Sequence, residues 1–548
     1  MWSAYPRGIT TVGRLIGDRL RAAGVRYVMG HPGGEVVDLI EGFREAGLEF
    51  VLTRHETSAA FMADAMATAS GIPGVCVGTL GPGATNLVTG VAQSFLDRSP
   101  VIALSGQLPS DRFDITTHQR LDLRALFAPI TKWQARVSPV NARDVIDRAL
   151  RVALSPRRGP VYLEVPSDVP RQEARDRMSE VERVFHRGYV IAPVPMPAID
   201  ADAAGAAAQR IGNSKKPLIL AGMDANDEVI ASRLVAFAEE WSIPVMDSPK
   251  SKGVIREDHP LFLGTIEGLG TSRLYSYIES CDVVFMVGLD PVELDRDWRA
   301  AAEVVHIGPL PNDDRYYRAT VEVVGPINEA LDAIRSLCGT GVAKSDPARV
   351  AAFREEFRAY VAPKRKGLTS QQVLSTLRAA LPEDAIATCD VGYNKAVTGQ
   401  CWIACAPKTF FMSNGLSSMG YGLPAAIGLQ LLHRDRDVLC VLGDGGFAMT
   451  MAELETAARL ELPVIVVVLA DEALSQIKAG QERKGFPVVG TTFRGLDHVA
   501  IARGFGAAGF EVTNEAELRD AIAATRGARR KAPTLIAAHV DPSAYQLD

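Results

Sequence analysis

Three doubly wound α/β domains, each built on a parallel sheet, are what this sequence predicts. Three observations carry the prediction. Short β-rich apolar runs alternate with longer helical patterns along most of the chain. The early runs are each followed by Gly, Pro or Ser and then by a helix-like stretch. Two polar, charge-mixed interruptions cut the alternation into three stretches of about 150 to 180 residues, an ordinary domain size.

In the first stretch Val25–Met29, Phe50–Leu52, Gly74–Thr79 and Val101–Ser105 read as buried parallel strands, with helices over Ser58–Ser70 and Ala84–Phe95. The pattern stops after Val161–Pro166. A linker is expected from Ser167 to about Arg187 and through the Pro-rich Ala192–Pro197. The second stretch holds strands at Pro217–Ala221, Ile243–Met246, Val283–Val287 and Val304–Ile307. A charged connection follows, from roughly Asp346 to Arg365, and its basic piece Lys364-Arg365-Lys366 reads as a solvated face. The third stretch holds strands at Ala385–Cys389, Val438–Leu442, Val464–Leu469 and Thr534–His539.

Composition narrows the partners. Acidic residues outnumber basic ones by 65 to 59, with no basic stripe, which argues against nucleic acid. The longest apolar run, Leu462–Ala470, is too short to cross a bilayer, so no membrane role is expected. Met1 to Gly13 contains no apolar signal core. The seven cysteines are scattered and lack zinc-ligand spacing. Cys401 and Cys405 would share one face of a helix, and buried thiols are the favoured reading. A reducing, cytoplasmic setting follows.

The strongest chemical signal is Gly443-Asp444-Gly445-Gly446 after the run Val438–Leu442, with Ala470-Asp471 after the run Val464–Leu469. A strand–loop–helix–strand unit brings those two ends together at the carboxyl edge of a parallel sheet, where ligands bind. Asp444 and Asp471 then offer hard oxygen ligands to Mg²⁺ or Ca²⁺. The glycines allow backbone N–H groups near a diphosphate, and a helix expected to start near Met449 points its positive end there. Gly-Asp-Gly alone reads as a tight turn with a capping Asp; the second acid at a matching strand end reverses that. Glu56, in Thr53-Arg54-His55-Glu56-Thr57, opens an Ala-rich helix after a strand, where a lone Glu is commonly a capping or dipole residue. Ser413 to Ala426 is a Gly-rich turn running into a helix of small residues, in which Met419 by itself would read as core filler.

Together these motifs resemble the thiamine-diphosphate enzyme family, over nearly the whole chain. The resemblance is closest to the acetolactate synthase group, through Arg54-His55-Glu56, Gly81-Pro82-Gly83-Ala84-Thr85-Asn86, Leu96-Asp97-Arg98-Ser99-Pro100 and Met419 to Gly428. The first two segments, with Asp97-Arg98-Ser99-Pro100 and Thr117-His118-Gln119, also resemble carboxyethylarginine synthase, and Ala128–Trp133 is similar to benzaldehyde lyase. The resemblance implies a pyrimidine-binding domain (1–172), a central domain (196–345) and a pyrophosphate-binding domain (367–548). It implies that Asp444, Asp471 and the Ala473 carbonyl hold the metal. Gly443, Gly445, Gly446 and Leu474, with Asp390-Val391-Gly392-Tyr393-Asn394 at another strand end, would complete the diphosphate cradle. The family's Asn-Asn is Ala470-Asp471 here, a departure that keeps an oxygen ligand and adds charge. Met419 corresponds to the apolar wedge that bends the cofactor, and the Ser417 carbonyl to the acceptor of its 4′-amino group. Glu56 corresponds to the glutamate that shares a proton with N1′, so that the 4′-nitrogen can deprotonate C2. Pro32, Gly34 and Asn86 would line the reactive side, and Gln119 would enter the active site; His118 reads equally as a solvated loop residue.

The implied reaction is carboligation. A pyruvate-like 2-keto acid loses CO₂ and its carbanion equivalent attacks a second keto acid or aldehyde. The alternatives are a 2-keto acid decarboxylase or C–C lyase, a carboxyethylarginine synthase-like transferase, and a non-catalytic paralogue, against which Glu56, Asp444 and Met419 speak. Val287-Gly288-Leu289-Asp290-Pro291-Val292-Glu293 lacks the Arg of flavin-binding relatives and weighs against FAD, while Gly268-Leu269-Gly270-Thr271 leaves it open. Leu474–Lys484 lacks the Gln-x-Trp of many biosynthetic acetolactate synthases. The family's dimers or tetramers, with active sites at the subunit interface, are expected.

Overall fold

The computed structural model describes residues 10–175, 195–312, 315–338, 345–362, 367–526 and 531–542. By contacts the chain divides into two compact units, 1–194 with 427–432, and 195–426 with 433–548. Three six-stranded sheets, with every strand pairing among the described residues parallel, form the framework, as the alternating pattern predicts.

The first unit contains β1 (Tyr27–Gly30), β2 (Glu49–Leu52), β3 (Gly74–Gly78), β4 (Val101–Gln107), β5 (Trp133–Arg136) and β6 (Val161–Pro166), in the order β2-β1-β3-β4-β6-β5. One face of this sheet, through Val75, Val77, Ile102, Leu104, Leu163 and Val165, packs on apolar residues of the helices Val12–Ala22, Val37–Glu45 and Ala142–Leu154.

The second unit carries two sheets. Its middle sheet has β7 (Pro217–Ala221), β8 (Val245–Asp247), β9 (Phe262–Thr265), β10 (Val283–Val287), β11 (Glu303–Gly308) and β12 (Val321–Val324), in the order β12-β11-β10-β7-β8-β9. Alternate residues enter separate cores: Ile219, Phe285 and Val305 point to one face, Leu218, Val284 and Val304 to the other. The helices Ala201–Asn213, Glu228–Trp241 and Ile327–Leu337 cover the first face, and Thr271–Glu279 and Pro347–Val361 the second. The last sheet has β13 (Ile386–Cys389), β14 (Phe410–Met412), β15 (Val438–Gly443), β16 (Ile465–Ala470), β17 (Ala508–Val512) and β18 (Thr534–His539), in the order β14-β13-β15-β16-β18-β17.

All thirteen strands expected from the sequence are present, with boundaries shifted by two residues or fewer. Among the described residues five more, β5, β9, β12, β14 and β17, are present, all at sheet edges. A central strand is buried on both faces and flanks and reads as a continuous apolar run. An edge strand is under no such demand; β5 reads Trp-Gln-Ala-Arg and is half-exposed throughout.

Two local expectations need correction. The helix after Gly443 begins at Asp444 rather than near Met449, because the glycines continue directly from the strand into helical turns over Asp444–Thr450. A second helix, Glu453–Arg459, follows. Cys405 shares no helix with Cys401, because the helix Tyr393–Cys401 stops there and Trp402 is extended. Residues 176–194, which hold much of the expected first linker, and Lys364-Arg365-Lys366 lie outside the described residues. Among the described residues, no helix is long and apolar enough to cross a membrane.

Candidate active site

In the first unit, the chemistry gathers at the carboxyl ends of three neighbouring strands, β2, β1 and β3. Glu56 follows β2 and is the first residue of the helix Glu56–Ser70, capped by the His55 ring, which accepts the Thr57 N–H. Only 7% of Glu56 is exposed. Asn86, in the helix Pro82–Leu96 after β3, donates its amide to Glu56 Oε2 at 3.0 Å. The Thr57 hydroxyl donates to the Asn86 carbonyl at 2.5 Å and ties the two helix starts together. An added Cβ on Gly83 would stand 3.2 Å from Glu56 Oε1, so the absence of a side chain there leaves room for the carboxyl.

Pro32 and Gly34 follow β1 in an exposed turn, and Gly34 faces open space. Gln119 sits in an exposed loop with φ +55°, and its Cβ and Cγ lie against Gly81. The structure thus brings Glu56, Asn86, Gln119 and the Pro32–Gly34 turn to one edge. His118 is exposed. One pair went unread in the sequence. Thr79 donates to Glu35 Oε2 at 2.7 Å and joins the β1 turn to the β3 turn. The only sequence signal was an acid directly after Gly33-Gly34.

In the second unit, the remaining candidates follow β14, β13, β15 and β16, four strands adjacent in that order. β15 and β16 pair with Gly443 opposite Leu469, which sets Asp444 beside Ala470 and Asp471. Asp444 Oδ2 accepts the backbone N–H groups of Asp471 at 3.1 Å and Glu472 at 2.7 Å. Burial, reinforced by the negative charge of Asp471, pushes the Asp444 carboxyl up to about 6, against the pull of those donors. Asp471 accepts the Ala473 N–H at 3.2 Å and the Ser475 hydroxyl at 2.5 Å. Glu472 between them is held at φ +59°. Such a conformation is costly for a non-glycine residue and persists where surrounding bonds impose it.

Gly445 and Gly446 form the first helical turn after Asp444. An added Cβ on Gly445 would come within 2.8 Å of Leu474 Cδ2 and 3.3 Å of Met419 Cε, with the Phe493 ring at 3.8 Å. Met419 and Leu474 therefore converge over the glycine turn. Gly392, at φ +125°, turns the chain from β13 into the helix Tyr393–Cys401. Asn394 is buried there and donates to the Asp390 carbonyl at 2.7 Å. Ser417, at φ +53°, is pinned by Lys395, which donates to its hydroxyl at 3.0 Å, and by its own donation to the Asn414 carbonyl at 2.8 Å.

Asp390, expected only as part of the cradle segment, organises two turns. Its carboxylate accepts the Gly420 N–H at 2.9 Å and the Val391 N–H at 2.7 Å, and it lies directly against Gly446. One buried side chain thereby fixes the Met419–Gly420 turn relative to the Asp444 turn. Burial pushes its carboxyl up to about 6 while the N–H donors hold it back.

A chain that collects a buried carboxyl on one sheet edge, and paired acids with glycine turns on another, belongs to the cofactor-dependent α/β enzymes. Comparison with known families narrows the class. Residues 10–126 match the thiamine pyrophosphate enzyme N-terminal TPP binding domain. Residues 204–334 match the central domain of the same enzymes, and 390–538 the C-terminal TPP binding domain. The chain belongs to the thiamine pyrophosphate (thiamine diphosphate) enzyme family, in its acetolactate synthase-like branch. It is 30% identical to the acetolactate synthase of Bacillus subtilis over 544 residues, covering 96% of this chain and 93% of that one. It is 31% identical to the acetolactate synthase large subunit of Parasynechococcus marenigrum, covering 98% and 88%. A Pseudomonas aeruginosa protein described as a probable 2-ketoarginine decarboxylase is 33% identical, covering 92% and 89%.

Proposed function

We propose that this enzyme is a Mg²⁺-dependent carboligase that decarboxylates a pyruvate-like 2-keto acid and joins the remaining fragment to a second keto acid or aldehyde. The observation that carries the cofactor half of this reading is the pair of acids at neighbouring strand ends. Asp444 is buried beside Asp471, and their mutual repulsion is the kind a bound cation relieves. Asp444, Asp471 and the Ala473 carbonyl would hold the ion. The N–H groups of the Gly443–Gly446 turn and of the Gly392 turn would hold the diphosphate, and Met419 with Leu474 would support the rings. Bound thiamine diphosphate supplies an electron sink next to the keto carbon. Glu56 would hold the proton at the aminopyrimidine nitrogen, oriented by Asn86, and Ser417 would accept from the amino group. Gln119 and the Pro32–Gly34 turn would stand on the substrate side.

The reaction half rests on the acetolactate synthase relatives. A decarboxylase that releases an aldehyde is the second reading, favoured by the 33% identical relative. Mass spectrometry of products from pyruvate alone, pyruvate with a panel of acceptors, and 2-ketoarginine separates them. New C–C bonded products are expected; quantitative aldehyde without ligation would leave the decarboxylase.

The same reading assigns 1–172, 196–345 and 367–548 to pyrimidine, central and pyrophosphate domains. All seven cysteines are free thiols, which supports a reducing, cytoplasmic location. The assembly we propose is a homodimer or homotetramer in which each cofactor takes Glu56 from one subunit and Asp444 from another. Mixing inactive Glu56→Gln and Asp444→Ala chains should then restore part of the activity, because one site in a mixed dimer receives both intact residues. No recovery in verified mixed dimers would place both residues in one chain.

A further inference from the structure

The middle sheet poses a separate question. Its strand order reverses at β7, so β7 and β10 flank the crevice where open α/β sheets receive nucleotides. A nucleotide there needs backbone N–H groups and a glycine turn close enough for its phosphates. The turn is present: β7 runs into Gly222-Met223, and β10 into Gly288-Leu289-Asp290. Its donors are already engaged. Gly222 N–H donates to the Val287 carbonyl, Asp224 N–H to the Gly288 carbonyl, and Ala225 N–H to the Gly222 carbonyl, all at 2.9 Å. Met223 N–H donates to both Glu293 oxygens at 3.0 Å, and Asp290 N–H to Glu293 Oε2 at 2.9 Å. The Ser248 hydroxyl, after β8, donates to Glu293 Oε1.

Glu293 is 1% exposed and closes a short helical turn capped by Asp290. Its carboxyl ties the ends of β7, β10 and β8 together. It also takes the space a phosphate would need, because a Cβ on Gly222 would lie 2.6 Å from Glu293 Oε2 and 2.3 Å from Leu289 Cα. FAD therefore does not fit the residues present at this crevice. We propose that Glu293 is a built-in plug, a side-chain carboxyl that occupies the nucleotide crevice of the middle sheet so that neither FAD nor an adenine nucleotide binds there. Burial pushes this carboxyl up to about 8, opposed by the same donors, which favour its charged form. The proposal is independent of the thiamine diphosphate site.

The test uses the full-length enzyme. Calorimetric titration of the wild type with FAD, and separately with ADP, should give no saturable binding. In Glu293→Ala the donors lose their acceptor but keep their cage, so a small carboxylate should replace it. Hydrogen exchange at the Met223 and Asp290 amides should speed up about three- to tenfold at neutral pH, the loss of a hydrogen bond to a mostly neutral carboxyl. Sodium formate should slow it again in a saturable way, while sodium chloride at equal ionic strength should not. Glu293→Gln, which keeps the acceptor oxygen, should show a smaller increase and no formate response. It also carries the test if the Ala variant fails to fold. Saturable FAD or ADP binding to the wild type, or amide exchange in both variants equal to the wild type's, would overturn the proposal.

Discussion

Purified Glu56→Gln enzyme is expected to fold, to retain metal and cofactor, and to exchange the C2 proton of bound thiamine diphosphate about a hundred- to ten-thousandfold more slowly than the wild type, the span that a positioned acid–base group commonly contributes. The size of the effect follows from what the substitution keeps. Gln has the same length, so the close approach to Gly83 and the contact with Asn86 can persist. What disappears is a carboxyl able to give up and regain a proton. Removing the Asn86 amide should cost less, since the carboxyl would lose a donor and some orientation but keep its chemistry. Acid-quenched NMR of the C2 signal after transfer to D₂O measures both variants. A wild-type exchange rate in Glu56→Gln would remove this residue from the proton path.

Asp444→Ala is the second large effect, and it should appear in binding before it appears in rate. Retention of thiamine diphosphate through gel filtration should be lost, with excess Mg²⁺ recovering little of it. Even an outer partner of a metal ligand typically costs about 10- to 100-fold in metal affinity, and a direct carboxylate ligand should cost more. The position has a second task. Its Oδ2 accepts the Asp471 and Glu472 N–H groups and so holds Glu472 in its left-handed conformation. Removing the side chain therefore disturbs Asp471, the second proposed ligand, as well as deleting the first. Asp444→Asn separates the two tasks, because its amide oxygen can still accept while the charge is gone. Asp471→Asn should be milder, since it restores the residue type usual in the family. Calorimetry with unchanged cofactor affinity in Asp444→Ala would end the metal-site assignment.

Legibility in the sequence followed place in the sheet more than burial, since the strands missed are edge strands although Phe262–Thr265 and Phe410–Met412 are fully buried. Val438–Leu442 and Val464–Leu469 could be read as strands because helices and neighbouring strands surround them, and only apolar side chains suit that environment. Trp133–Arg136 and Ala508–Val512 could not, because an edge strand is specified by its partner's backbone more than by its own side chains. The candidate site divided in the same way. Acids and glycines at strand ends leave a mark in the chain order, so Glu56, Asp444, Asp471 and Gly392 could be named as candidates. Residues that act by bonding to a distant turn leave little, so Glu35 and Lys395 went unassigned and Asp390 was expected only as part of the cradle segment.

The three-sheet α/β architecture and the central strands were legible in chain order, because periodicity and burial on two faces are local properties, and the short glycine–acid motifs carried the resemblance to the thiamine diphosphate family. The tertiary structure alone decided which groups meet. It placed the Asp390 carboxylate between the Gly420 N–H and Gly446, set the Asp444 oxygens under two backbone donors, and seated Glu293 across the ends of three strands. Those are contacts across 30, 27 and 70 residues, fixed by strand register and crossover order. No window of the sequence contains them.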